Sequence, residues 1–239
     1  MNERNVMKIA MPLALLFADF ANADVYKTYD GTWAAKYATK NYEQSYSPKG
    51  NPFQNFEKRD SAGKLIPNGG NCTNFVSQAL IAGFIQSDSM KTAFDNRYEF
   101  DTDYFGINYS LAWYFRSDSQ RGPAWSGAQK LYEYAKSNKA TYRGVHFSDI
   151  TKDTKTSFMD YNKVRVGDII FADWEGDGSI DHSMIVTSYD YWTQRGYDKI
   201  QVTYQSENRQ RRLGEINVMY KYKALFYVYR PTDYRPDGW

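Results

Sequence analysis

Pro67-Asn68-Gly69-Gly70-Asn71-Cys72-Thr73-Asn74-Phe75, running on into Val76-Ser77-Gln78-Ala79-Leu80-Ile81-Ala82-Gly83, is the stretch whose reading decides the fold. Paired glycines let a backbone adopt positive φ and approach a ligand closely. Asn71 is a favoured N-cap residue, so a helix over 73–82 is expected to begin at Asn71 or Cys72, with Cys72 in its first turn. Phe75, Val76, Ala79 and Leu80 recur at helical spacing, which carries that helix to Ala82, with Gly83 as its stop. A thiol in the first turn feels the partial positive charge of the helix amino end, which favours thiolate. Backbone N–H groups of the same turn can receive an oxyanion. A cysteine that packs only as a small hydrophobe has no use for this setting. Cys72 therefore reads as a nucleophile, with Gly70 and Asn71 beside the substrate.

The remainder of the sequence supplies partners for such a helix. An earlier helix is expected from Asp30-Gly31-Thr32 to about Tyr42, with Trp33 and Tyr37 on one face, and another over 124–137, with Ala128, Leu131, Tyr132 and Ala135 together. Residues 45–70 are rich in Pro, Gly, Asn and charge and read as loop. The final third changes to short runs of branched and aromatic residues between Gly/Asp turns, over 166–173, 182–189, 200–205 and 225–229. Helices first and an antiparallel strand series afterwards is α+β organisation. In that layout the nucleophile's helix packs on a sheet that carries the base.

A thiol nucleophile needs an imidazole, and the chain has 2 histidines. His182 stands at the start of an expected strand, which holds a base more rigidly than a loop does. His146 lies in Arg143-Gly144-Val145-His146-Phe147, read as irregular, and is assigned to surface or structure. The third member should fix the far imidazole nitrogen. Gln205, where the next strand ends, is the first choice and Asn208 the second. Asp173, Glu175 and Asp177 with Gly178 resemble half of a calcium loop, but Met184 stands where such a loop needs Glu. A tight hairpin turn that delivers His182 is the preferred reading, and no metal or other cofactor is expected. Asp181 either helps orient the active centre and substrate or only closes that turn.

Composition bounds the setting. With 239 residues, 42% of them hydrophobic and 24% charged, the chain has the profile of one globular domain. A formal charge of +2, scattered rather than striped, argues against a nucleic-acid partner. The 22 Tyr, 14 Phe and 6 Trp suit either a groove that binds peptide or sugar or a half-exposed core. Arg4 and Lys8 precede an apolar run over 9–18, and Ala21-Asn22-Ala23 offers small residues for a signal peptidase. A secretory signal over 1–23 is expected, leaving a domain over 24–239 with a variable insertion near 87–160. The competing reading of 1–23 is an amphipathic helix. The apolar run is shorter than the ~20 residues a membrane span needs, so no stable membrane insertion is expected. A secreted or periplasmic location makes a lone cysteine notable, since exported cysteines usually pair.

Gly69 to Leu80, Val166-Gly167-Asp168-Ile169-Ile170-Phe171 and Gly176 to His182 together resemble the putative amidase domain family. That family belongs to the papain-like group shared with NlpC-type endopeptidases and CHAP amidases of the cell wall. The resemblance spans roughly residues 30–229. It implies a papain-like α+β fold with Cys72 as nucleophile and His182 as base. Asn71 replaces the Asp common before the cysteine, and Gln205-Ser206 replace a His-Thr pair. The expectation is an exported cysteine amidase or endopeptidase acting on peptidoglycan or another peptide substrate. A transacylase of the same fold and a non-catalytic wall-binding module are the alternatives.

Overall fold

The structure, a computed structural model, describes residues 26–43, 52–53, 55–64, 70–100, 109–137, 144–153, 158–159, 161–193, 196–206, 209–221 and 223–235. The expected signal segment over 1–23 lies outside them. The chain opens with β1 (Lys27–Thr28), α1 (Gly31–Asn41), α2 (Cys72–Ile85) and α3 (Met90–Asp95). A small hairpin, β2 (Phe115–Ser117) and β3 (Gln120–Arg121), leads to α4 (Pro123–Ser126) and α5 (Ala128–Ser137). Then come β4 (Gly144–Asp149) and the pair β5 (Thr151–Asp153) and β6 (Phe158–Met159). The last part is β7 (Ile169–Asp173), β8 (His182–Tyr189), β9 (Ile200–Tyr204), β10 (Arg209–Arg212), α6 (Leu213–Met219) and β11 (Leu225–Arg235). This is an α+β chain with a single main antiparallel sheet.

The sheet runs in the order β1-β11-β7-β8-β9-β10, and β4 joins the far half of β11. β11 is long enough to serve three partners, β1, β7 and β4. Its residues 225–229 pair with β7 and its residues 229–235 with β4, with a register shift between Pro231 and Tyr234. Proline lacks an N–H, so such an irregularity is where a strand tolerates it. Both faces of the sheet are covered. Ile169, Phe171 and Ile185 point into the aromatic core under the helices, while Ile170, Ala172, Met184 and Val186 point into a second core with Leu213 and Ile216 of α6. That alternation is the period-two pattern expected of strands.

α2 is buried along its length from Cys72 to Phe84 and packs against α1, α3, α4 and β8. A helix enclosed on all sides must satisfy its polar side chains internally. It does so. Ser77 Oγ accepts from Trp113 Nε1 and donates to the Trp125 carbonyl, each at 2.9 Å, and Tyr37 donates to Gln78 Oε1 at 2.7 Å. Gly83 lies inside α2 rather than ending it. A Cβ there would sit 2.3 Å from the Tyr29 ring, so the glycine allows a close approach, and the left-handed Gln86 (φ 53°) ends the helix instead. The helix expected over 124–137 is broken at Gly127, whose φ and ψ of −107° and 120° are extended.

The Gly167-Asp168 pair works as a joint of the scaffold. Gly167 has φ +90°, and a Cβ on it would sit 2.1 Å from Gly31 Cα at the start of α1. Asp168 is buried and receives Arg230 in a two-pronged pair, Nε to Oδ1 and Nη2 to Oδ2, each at 2.8 Å. Gly167→Ala combines a strained backbone with a clash against main chain and is expected to cost roughly 2–5 kcal/mol. Urea unfolding checks this, and a loss under about 0.5 kcal/mol, the usual range of surface changes, would contradict it.

Candidate active site

The expected helix start brings Cys72 to the beginning of α2, against β8 and its first residue, His182. Both are nearly enclosed, with 6% and 9% of their surface exposed. Burial alone pushes the Cys72 thiol up, because a thiolate loses hydration. The charge and hydrogen bond of His182, the backbone N–H of Ser183 and the Thr73 hydroxyl outweigh that and bring it down from the ordinary 9.0 to about 6. Thr73 Oγ1 lies 3.6 Å from Cys72 Sγ and 3.0 Å from Ser183 Oγ, so one hydroxyl ties the helix start to the strand start. Ser183 and Thr73 were missed from sequence, although each is the immediate neighbour of a residue that was named.

Asn71 occupies the cap position but makes no capping side-chain bond. Its Oδ1 accepts from Phe56 N at 3.0 Å and Asn74 Nδ2 at 2.9 Å, and its Nδ2 donates to Gln205 Oε1. The side chain thus ties the loop before the nucleophile to its surroundings. The backbone N–H of Asn71 donates to Ser206 Oγ at 2.9 Å. Ser206 holds φ 82°, a conformation that non-glycine residues avoid and that persists only when surrounding contacts enforce it. Gly70 packs closely beside it, since a Cβ there would sit 2.6 Å from Ser206 Oγ and push on the hydroxyl that holds the Asn71 N–H.

Gln205 therefore stands elsewhere than on the imidazole. Besides Asn71 it meets the carbonyls of Asn41 and Tyr42, each 3.4 Å from its Nε2. Strand order placed it near His182, but the turn after β9 swings its amide toward the nucleophile's loop. Among the described residues, His182 Nε2 is buried without a hydrogen-bond partner. Aromatic rings flank the imidazole instead: Tyr204 edge-on at 4.8 Å and Trp174 at 5.6 Å between centroids. Asn208 lies outside the described residues.

His146 is neither at the surface nor in an irregular segment. It is buried on β4, with Nδ1 3.5 Å from Asp233 Oδ2 on β11. The acidic run before His182 forms a turn in which Asp173 accepts the N–H groups of Gly176, Asp177 and Gly178 at 2.7, 3.1 and 2.8 Å. Asp181 Oδ2 accepts the Trp174 N–H at 2.9 Å, which closes the same turn. A pocket of about 280 Å³ borders Gly70 on the Asn71 side, with Phe56, Glu57 and Arg121 in its wall. A second of about 280 Å³ is lined by Trp174, whose ring neighbours His182, together with Glu175, Met219, Tyr220, Lys221 and Lys223. Among the described residues no helix is long and apolar enough to cross a membrane.

A model of one protein family, described as "Putative amidase domain", matches residues 28–229. No curated protein and no solved structure matches the chain.

Proposed function

We propose, from the premise that the chain belongs to the putative amidase domain family, that Cys72 and His182 carry its amide hydrolysis as a nucleophile–base pair. The single observation behind this is the thiol lowered to about 6 beside His182. The thiolate attacks the amide carbonyl, and the oxyanion that forms meets N–H groups at the start of α2. The C–N bond breaks as His182, protonated, gives its proton to the leaving amine. His182 then takes a proton from water, whose hydroxide displaces Cys72 from the thioester and releases the carboxylic acid. The helix-borne thiol against an antiparallel strand bearing the base supports a papain-like arrangement.

Two finer points complete the reading. The 1–23 segment supports export, and an exported amidase would meet the peptide crosslinks and stems of bacterial peptidoglycan. Incubating purified peptidoglycan with the mature protein and with Cys72→Ala, followed by mass spectrometry of the fragments, tests the target. New amine and carboxylate ends from the wild type alone are expected. No new ends from either protein would contradict the wall as target, and the same new ends from both would contradict Cys72 as the nucleophile. Fragments joined to an added amine acceptor would show acyl transfer in place of hydrolysis.

A further inference from the structure

The pocket beyond Trp174 has a built floor and a charged rim. The indole of Trp174 and the phenol of Tyr220 stack at 4.1 Å with 4° between their planes. Met219, Lys221, Lys223 and Glu175 complete its lining. The two lysines are exposed and form no ion pair among the described residues. Glu175 leans the other way: its carboxyl meets that of Asp181, and lost hydration together with Asp181, Asp177 and Asp173 holds its pKa up. Glu175 thus belongs electrostatically to the acidic turn, while Lys221 and Lys223 are the cations of the pocket. The pocket therefore combines two lysines with a stacked aromatic pair.

Its position gives it a role. The Trp174 ring is shared, stacked on Tyr220 of the pocket and 5.6 Å from the His182 ring. In the reaction proposed above, His182 protonates the leaving amine, so the leaving half of the substrate departs on this side. Trp174 neighbours both His182 and Tyr220, so only a short leaving segment separates the cleaved bond from this pocket.

We infer that this pocket is a subsite for a leaving group that ends in a free carboxylate, held between Lys221 and Lys223 with its apolar body on Trp174 and Tyr220. The inference rests on Cys72–His182 hydrolysis for the word leaving, while the subsite itself rests on the pocket. The substrate class it selects is a peptide cut close to its carboxyl terminus, in preference to one cut in mid-chain.

Calorimetric titration of the full-length Cys72→Ala protein separates the two. The probes are acetyl-Ala-Ala-Ala with a free carboxylate and the same peptide as its carboxamide, at low salt, where exposed charges are least screened. The acid is expected to bind about tenfold more tightly than the amide, the scale of one or two charge-assisted hydrogen bonds. The Lys221→Gln/Lys223→Gln double variant, both changes being at exposed positions, should erase the preference and leave amide binding unchanged. Equal binding of acid and amide, binding of neither, or a preference that survives the double variant would each overturn the subsite. Binding needs no turnover, so an acid preference in a protein that shows no Cys72-dependent hydrolysis would overturn the proposed chemistry and the leaving-group assignment, not the carboxylate site.

Discussion

Cys72→Ala is expected to lower amide hydrolysis by about 10⁴-fold or more, because a nucleophile's loss cannot be made good by the groups around it. The side chain is 6% exposed and its sulfur touches the Thr73 hydroxyl, the Ser183 N–H and His182. Alanine removes one atom at the start of α2 and leaves the scaffold intact. Asn71 still holds Phe56, Asn74 and Gln205, and Ser206 still holds the Asn71 N–H. The circular dichroism spectrum and the melting temperature should therefore stay close to those of the wild type. Release of amine from a fluorogenic peptide amide provides the rate. A fall of less than about tenfold, within the reach of small rearrangements, would mean that another group attacks the carbonyl.

His182→Ala is expected to lower kcat/KM by about 10²–10⁴-fold, the range for removing a positioned acid and base. Its effect on pH dependence is more specific. In the wild type the thiolate is the reactive form, so the rate falls as pH drops through the thiol's value of about 6. Removing His182 removes the largest influences that lower that value, and burial, which raises it, remains. The acid limb should thus move upward. Rates measured between pH 5 and 9.5 show the limb directly. An unmoved limb in the variant would assign the proton to another group.

What could be read from the amino-acid sequence was local, and what could not was the direction in which side chains point across long separations. Gly70-Asn71-Cys72 marked a helix start because those residue types have few other uses together, and α2 begins at Cys72. β8 was legible from 182–189 because Ile185, Val186 and Thr187 form its middle and Tyr189 its end. The site's remaining parts come from afar. Gln205 was placed on the right element and given the wrong neighbour, since the conformation of Ser206, with φ 82°, aims the turn at Asn71, 134 residues earlier. His146 looked irregular because its strand exists only through pairing with β11, which also brings Asp233. The helical pattern over 124–137 concealed the extended Gly127. The rings of Tyr204 and Trp174 read as two aromatics among 42 residues of Tyr, Phe and Trp (22, 14 and 6), and nothing in their spacing singles them out beside His182.

The central claim is that the chain's lone thiol is held as a thiolate near neutral pH by the residue that begins β8. Alkylation tests it without any knowledge of substrate. The rate of iodoacetamide labelling at Cys72, followed by mass spectrometry from pH 4 to 10, reports the thiolate fraction. The predicted midpoint is about 6, against an ordinary thiol value of 9.0. A midpoint at or above 8.5, the value of a free cysteine, would contradict the account.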